Sequence, residues 1–415
     1  MKNNMKKKVK IFTGYQIFVI TILAFLQFTV ILDFMVISPL GAQLLQELNI
    51  TTAQFGYVVS AYAFSAGISG LLTAGFADRF DRKKLLMVFY YGFIIGTFLC
   101  SIAPDYHLLL IARIITGIFG GVLNSIIFAI ITDLFQVEVR GRVMGFVQMA
   151  FSSSQVFGIP LGLYLSNHYG WHSPFTLIVA VGVIAGLGIR IYLKPIRDHL
   201  KSEYEHSAFT HLRKTISQLP YLQAFGTTTL IATGGFMLMP FASAFTVHNM
   251  GISMHQLPFV YMVTGIVSMV SGPIIGRYSD VIGKYKIFIL GTLLSIVMVI
   301  ILSHMGITSL WLVILINVLL FTGITSRIIS GSALMTAVPD IKDRGAFMGV
   351  NASVQQISGG IASAIAGLIV IQTVGGKLEK YDTLGYVVAV TMLVTLGMMY
   401  FVNKYVTLKL AVKKI

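Results

Sequence analysis

Twelve stretches of the chain are each about 20 residues or longer and nearly free of charge. They are 14–41, 52–76, 85–104, 108–134, 142–167, 172–194, 220–247, 256–279, 285–304, 309–337, 345–372 and 384–406. Such a length matches the roughly 30 Å of hydrocarbon in a bilayer, where every backbone polar group must find its partner inside the segment. A helix does this without help from a neighbour, so the pattern predicts twelve transmembrane helices in an all-α integral membrane protein. Composition agrees: only 11% of the 415 residues are charged, against about 25% in soluble domains. The net charge of +15 would suit a nucleic-acid partner, but no soluble domain gathers it, and that reading is excluded.

The placement of the basic residues is more informative than their number. Of the 30 Lys and Arg residues, 26 lie at the termini or in alternate inter-helix loops; the other set of loops holds only Lys377 and Lys380. By the positive-inside rule both termini are expected to be cytoplasmic, which requires an even number of spans. One long polar interruption, 195–219, divides the chain into an N-terminal six-helix bundle at 1–194 and a C-terminal one at 220–415. The basic start and first apolar run mimic a signal peptide, but the run is too long and carries Asp33, so it is read as a retained helix. Asn49-Ile50-Thr51 forms a glycosylation sequon with nothing else to support its use. The single Cys100 excludes an intrachain disulfide and is read as a packing residue.

The halves repeat. Asp33-Phe-Met-Val matches Gly235-Phe-Met-Leu at an offset of 202, and Asp78 matches Asp280 at the same offset. Arg140-Gly-Arg-Val-Met-Gly145 matches Arg344-Gly-Ala-Phe-Met-Gly349 at 204. Duplicated bundles that enclose a site near the bilayer midplane are a transporter architecture. Gly117, Gly120, Gly121, Gly359 and Gly360 suit close helix packing.

Three charges lie inside apolar segments: Asp33, Arg113 and Arg327. An ionised group there faces a protein interior or a watery cavity and marks a functional site. Asp33 in helix one and Arg113 in helix four fall at matching depths toward the outer side, so a direct or water-bridged pair is expected. The Arg favours the charged carboxylate and burial disfavours it, so proton affinity would depend on conformation; the alternative is a static pair that fixes two helices. The repeat replaces Asp33 with Gly235 and Arg113 with Asn317. Arg327 has no obvious acid opposite it, and three roles stay open: binding an anionic or hydroxyl-rich substrate, pairing with Asp33 in one state, or bonding backbone carbonyls. Gln148, Ser152 and Gln155 form a polar stripe that Asn351, Gln355 and Ser358 repeat, suggesting either a cavity lining or interhelical hydrogen bonds. With Asn124, Asn317, Phe236 and Arg327 they make up the expected substrate cavity, to which Phe34, Phe128, Met237, Met239 and Phe241 would add a soft apolar wall.

The run Ala74-Gly75-Phe76-Ala77-Asp78-Arg79-Phe80-Asp81-Arg82-Lys83-Lys84, with Arg113-Ile-Ile-Thr116-Gly117-Ile-Phe-Gly120-Gly121, resembles the major facilitator superfamily. Within it the chain is similar to the twelve-helix drug:proton antiporter and sugar-efflux branch. The family pattern has Gly where this chain has Ala74 and Asp81, and Pro160 in Gly158-Ile159-Pro160 stands one place late against the antiporter signature. The resemblance implies two pseudo-symmetric six-helix bundles that rock around a central cavity, with Asp33 and Arg113 coupling protons. It also implies a conformational latch drawn from Asp78, Arg79, Arg82, Lys83, Asp133, Asp280, Arg140 and Arg344, broken when the transporter opens inward; a solvated charge run is the plainer reading.

The expected function is proton-coupled efflux of a small amphipathic or apolar compound, by a monomer in a bacterial inner membrane. The partners are then the substrate, protons and the lipid bilayer; no cofactor and no metal site are expected, and the chain is not expected to be an enzyme. A proton symporter of sugars or metabolites and a lipid flippase would use the same parts. A receptor or scaffold fits the loop and helix-four signatures poorly, and a channel fits the duplicated halves poorly. An ATP-driven pump is excluded by the lack of a P-loop.

Overall fold

The computed structural model describes residues 12–73, 79–197, 200, 217–340 and 343–412. In the first half of the chain the helices are α1 (Gly14–Val36), α2 (Gly41–Glu47), α3 (Thr52–Thr73), α4 (Arg82–Ser101) and α5 (Tyr106–Leu134). These are followed by α6 (Val137–Ser153), α7 (Ile159–Tyr169) and α8 (Ser173–Tyr192). In the second half they are α9 (Leu219–Leu238), α10 (Ala242–His248), α11 (Leu257–Ile282), α12 (Lys284–Ser303), α13 (Leu310–Met335), α14 (Arg344–Ile369) and α15 (Tyr381–Val412).

Local chemistry sets many of the boundaries. Thr13 and Gln16 close a capping box on α1, and Asp81 and Asp105 cap α4 and α5 through the Lys83 and Leu108 amides. Proline opens α8, α9 and α11, where its missing N–H has no intrahelical partner to lose. Gly283, at φ +111°, ends α11 and lets α12 begin on the next residue.

Eleven helical spans among the described residues are long and apolar enough to cross a bilayer. The remaining expected span, 142–167, is divided: α6 and α7 are joined by a π-helical turn over Ser154–Gly158. The Ile159 amide donates to the Ser154 carbonyl, one residue further back than in an α-helix. Pro160 follows at once and has no amide to offer Val156, so the α-ladder cannot run straight through. The expected first span, 14–41, also breaks: α1 stops at Val36 and the chain re-enters as α2. The hairpin formed by Ile371–Gln372 and Leu378–Glu379 was not foreseen; it occupies the expected end of the span 345–372.

The alternating spans put the basic loops at one end of the bundle, and the two halves meet along α3 and α14 from Thr52 to Gly70. α3 and α14 run antiparallel, backbone against backbone at Gly56 and Gly367, with the Ile357 side chain against Gly67 and the Phe64 ring against Gly360. A Cβ built on Gly56 falls 2.9 Å from the Ser363 carbonyl oxygen, and one on Gly67 falls 3.0 Å from that of Ser353. Ser60 Oγ donates to the Gly360 carbonyl at 2.8 Å, and Thr52 Oγ1 to that of Val370 at 2.6 Å. Around this seam, Phe55 packs edge-on to Phe241, Ser243 Oγ donates to the Ser38 carbonyl, and Asn167 Nδ2 donates to that of Met254. Toward the basic end, Cβ atoms built on Gly141, Gly145, Gly276, Gly345 and Gly349 meet nothing within 4 Å. The two halves are therefore in contact along most of the length of α3.

Candidate functional site

Asp33 lies three residues before the end of α1, and α5 brings Arg113 to it. Arg113 Nη1 donates to Asp33 Oδ2 at 2.8 Å, and both side chains are wholly buried. The same nitrogen lies 3.4 Å from the Asp33 carbonyl oxygen. From α4, the Thr97 hydroxyl is shared between Asp33 Oδ1 at 3.1 Å and the Phe93 carbonyl at 3.0 Å. From α3, the Tyr62 ring lies under the guanidinium, its centroid 4.6 Å from Cζ. Gly117 and Gly120 of α5 leave room for Tyr62 to come this close: a Cβ on Gly120 would fall 2.8 Å from the Tyr62 hydroxyl. Cys100 sits beside the pair, its Sγ 3.9 Å from Thr116 Oγ1.

Four helices thus converge on one charge pair, and the pair is dry. It is also incompletely satisfied, because Arg113 Nε and Nη2 reach no acceptor. Phe34, the next residue on α1, stacks at 5.2 Å on Tyr62 and at 5.8 Å on Phe236 of α9. The pair is therefore one aromatic ring away from the other half of the molecule.

Of the expected latch, Asp78 lies outside the described residues. Arg82 does pair with Asp133, at 3.0 Å. The pair joins α4 to α5 within the same half. Arg140 donates to the Phe135 carbonyl at 2.8 Å and the Thr132 carbonyl at 2.6 Å, closing the end of α5. Lys83 Nζ likewise donates to the Arg190 carbonyl near the end of α8. Helix C-termini present unpaired carbonyls and a partial negative charge, and basic side chains satisfy both. Arg79, Asp280 and Arg344 are exposed.

The expected cavity residues divide. Asn124, Gln148 and Gln355 are exposed, and Ser152 is half-buried. Gln155 falls within the π turn and off the regular α-helical stripe, with its backbone against Gly265 of α11. Asn351 accepts a hydrogen bond from Thr228 at 2.6 Å, so it ties α14 to α9. Asn317 Nδ2 donates to the carbonyl of Val313 in its own helix. Arg327 is buried on α13, with its Cζ 5.9 Å from the Phe288 ring centroid.

A profile described as the Major Facilitator Superfamily matches the chain twice, over residues 23–226 and 224–414. The chain belongs to the Major Facilitator Superfamily. The uncharacterized MFS-type transporter YbcL of Bacillus subtilis (strain 168) is 25% identical over 89% of this chain and 93% of its own length. Multidrug resistance protein 3 of the same organism is 32% identical, over 37% of this chain and 30% of its own length. Among solved structures, a bacterial homolog of the human lysosomal transporter Spinster, inward-facing and unoccupied, superposes with a TM-score of 0.70. It is 16% identical over 96% of this chain and 97% of that one. The protein is a multi-pass membrane transporter of this superfamily and not an enzyme.

In this superfamily member two parts of the site escaped the sequence reading. Tyr62 and Thr97 look like any aromatic or hydroxyl in an apolar run, and only the fold brings them to Asp33. Asp81, noted only as a departure from the family's glycine, holds three partners. It accepts from the Lys83 amide at 2.9 Å, the Ile196 amide at 3.2 Å and Arg197 Nε at 2.7 Å. Burial raises its pKa, but the hydrogen bonds from Arg197 and the two amides outweigh that and hold the carboxyl below its ordinary value. The signal for its capping role was legible, since an Asp directly before a helical pattern is an N-cap.

Proposed function

We propose that this transporter is a proton-coupled exporter of small amphipathic compounds, acting as a monomer in a bacterial cell membrane with both termini cytoplasmic. The observation that carries the reading is the dry Asp33–Arg113 pair at the junction of four helices, one ring away from the other half. In the state closed to the outside, Asp33 is charged and held by Arg113, Thr97 and the Tyr62 ring. Rocking of the halves wets this site from outside. A proton then neutralises Asp33, weakens its hold on Arg113, and changes how α1 and α5 sit against each other. Release of the proton inward restores the pair. Proton and substrate thereby favour different arrangements of the same helices, and their exchange follows from linkage. Asn124, Gln148 and Gln355 supply polar wall to the space between the halves, and Phe34 and Phe236 supply apolar wall. Of the expected latch residues, Lys83 and Arg140 cap helix ends, and Arg82 and Asp133 brace α4 against α5.

The test is Asp33→Asn in proteoliposomes. Drug-like substrates should bind the variant, and transport driven by an imposed pH gradient should be lost. Transport at the wild-type rate in that assay would remove Asp33 from proton coupling.

A further inference from the structure

Arg327 is 3% exposed, and its Nε and Nη2 have no hydrogen-bond partner. No ion pair holds it among the described residues. Its surroundings are apolar: the Phe288 ring lies on one side, and Met392 packs where α9 passes. Across from it stands Gly234, where a built Cβ would lie 4.0 Å from Arg327 Nη2 and make only ordinary contact with Met392, at 3.6 Å. At the adjacent Gly235 a Cβ would meet nothing within 4 Å.

The two halves make the arrangement intelligible. α1 ends at Val36 and α9 at Leu238, so Asp33 and Gly235 each stand three residues before a helix end. In the first half, a carboxylate at that place meets a guanidinium. In the second half a guanidinium is present and the helix opposite it offers two glycines. With Asp33 and Arg113 neutralising each other, the charge of Arg327 is left over. A buried, unpaired guanidinium is strongly disfavoured, and one kept only for structure would be expected to hold carbonyls or an acid. We propose that the missing carboxylate is brought by the cargo: Arg327 binds the acidic group of an amphipathic organic anion, seated between α9 and α13 against Gly234. This inference rests on the transport reading above and names its substrate class as small carboxylates with an apolar body.

The experiment is equilibrium dialysis of the purified full-length protein in detergent at neutral pH, with 1-naphthoate and its neutral isostere 1-naphthamide as probes. The wild type should hold naphthoate at least about tenfold more tightly than the amide, the scale of one hydrogen bond to a charged group. Arg327→Gln should abolish the preference and Arg327→Lys should keep part of it. Gly234→Asp, which sets a carboxylate beside the guanidinium, should abolish the preference and raise the melting temperature. If Arg327→Gln does not fold, the lysine and Gly234→Asp variants carry the test. Equal binding of the two probes by the wild type, or a preference that survives Gly234→Asp, overturns the proposal. Dialysis involves no pH gradient, so this failure is distinct from a failure of Asp33 coupling in proteoliposomes.

Discussion

The Asp33–Arg113 pair permits a quantitative test through a double-mutant cycle. Asp33 accepts from Arg113 at 2.8 Å and from Thr97 at 3.1 Å, with no exposed surface on either charge. Asp33→Asn keeps a neutral acceptor for Nη1 but removes the only carboxylate on a guanidinium whose Nε and Nη2 are already unpartnered. Breaking one side of a buried pair costs about 3–5 kcal/mol, and a retained neutral hydrogen bond returns about 1 kcal/mol, so a loss of about 2–4 kcal/mol is expected. Arg113→Gln strands the carboxylate instead and should cost a similar amount. The double variant strands no charge and should be less destabilised than the sum of the singles by about 2–3 kcal/mol. The assay is reversible unfolding of the purified transporter in mixed micelles titrated with sodium dodecyl sulfate. Additivity within about 0.5 kcal/mol would refute the reasoning, because contacting buried charges must couple.

Two further predictions concern regions away from the pair. Gly56→Leu forces a side chain into the Ser363 carbonyl, 2.9 Å from the position of its Cβ. An overpacking cost of about 1–3 kcal/mol should disfavour the closed end about fivefold or more. Cross-linking of a Thr52→Cys/Val370→Cys pair reads this, and an unchanged yield would count against the seam. At the basic end, the lowered pKa of Asp81 means that its contribution is present above the unfolded carboxylate value and is lost as pH falls through the lower folded value. Hydrogen exchange at the Ile196 amide should therefore stay slow through about pH 4, the ordinary carboxylate range, and quicken only below it. Asp81→Asn should make it fast already at neutral pH; slow exchange in that variant would show that the contact does not depend on the charge.

The spans and the Asp33–Arg113 pair were legible because a charge in hydrocarbon is rare enough to stand out by itself. Arg140 carries a weaker signal. Basic residues at helix ends are common, and a sequence does not say whether one reaches across to the other half or back to the carbonyls of the preceding helix. In the sequence Pro160 lies inside one continuous span, 142–167, and the π turn that absorbs one residue before it depends on how α6 and α7 pack against α1 and α11. Thr97 and Tyr62 carry no local signal, since their roles exist only once α3 and α4 are placed beside α1. Arg327 was recognised as anomalous, and the glycine beside it, Gly234, became visible only in three dimensions.

The α3–α14 seam has a consequence for the energetics of opening. Glycine against backbone covers little hydrocarbon, so parting the two helices at Gly56 and Gly367 exposes little apolar area to water. The Ser60 and Thr52 hydroxyls give up carbonyl partners that water replaces at nearly equal enthalpy. A seam of leucines would hold more strongly and would resist wetting. Gly56 and Gly367 make a joint that closes tightly because it is smooth and can be unmade because so little is hidden in it.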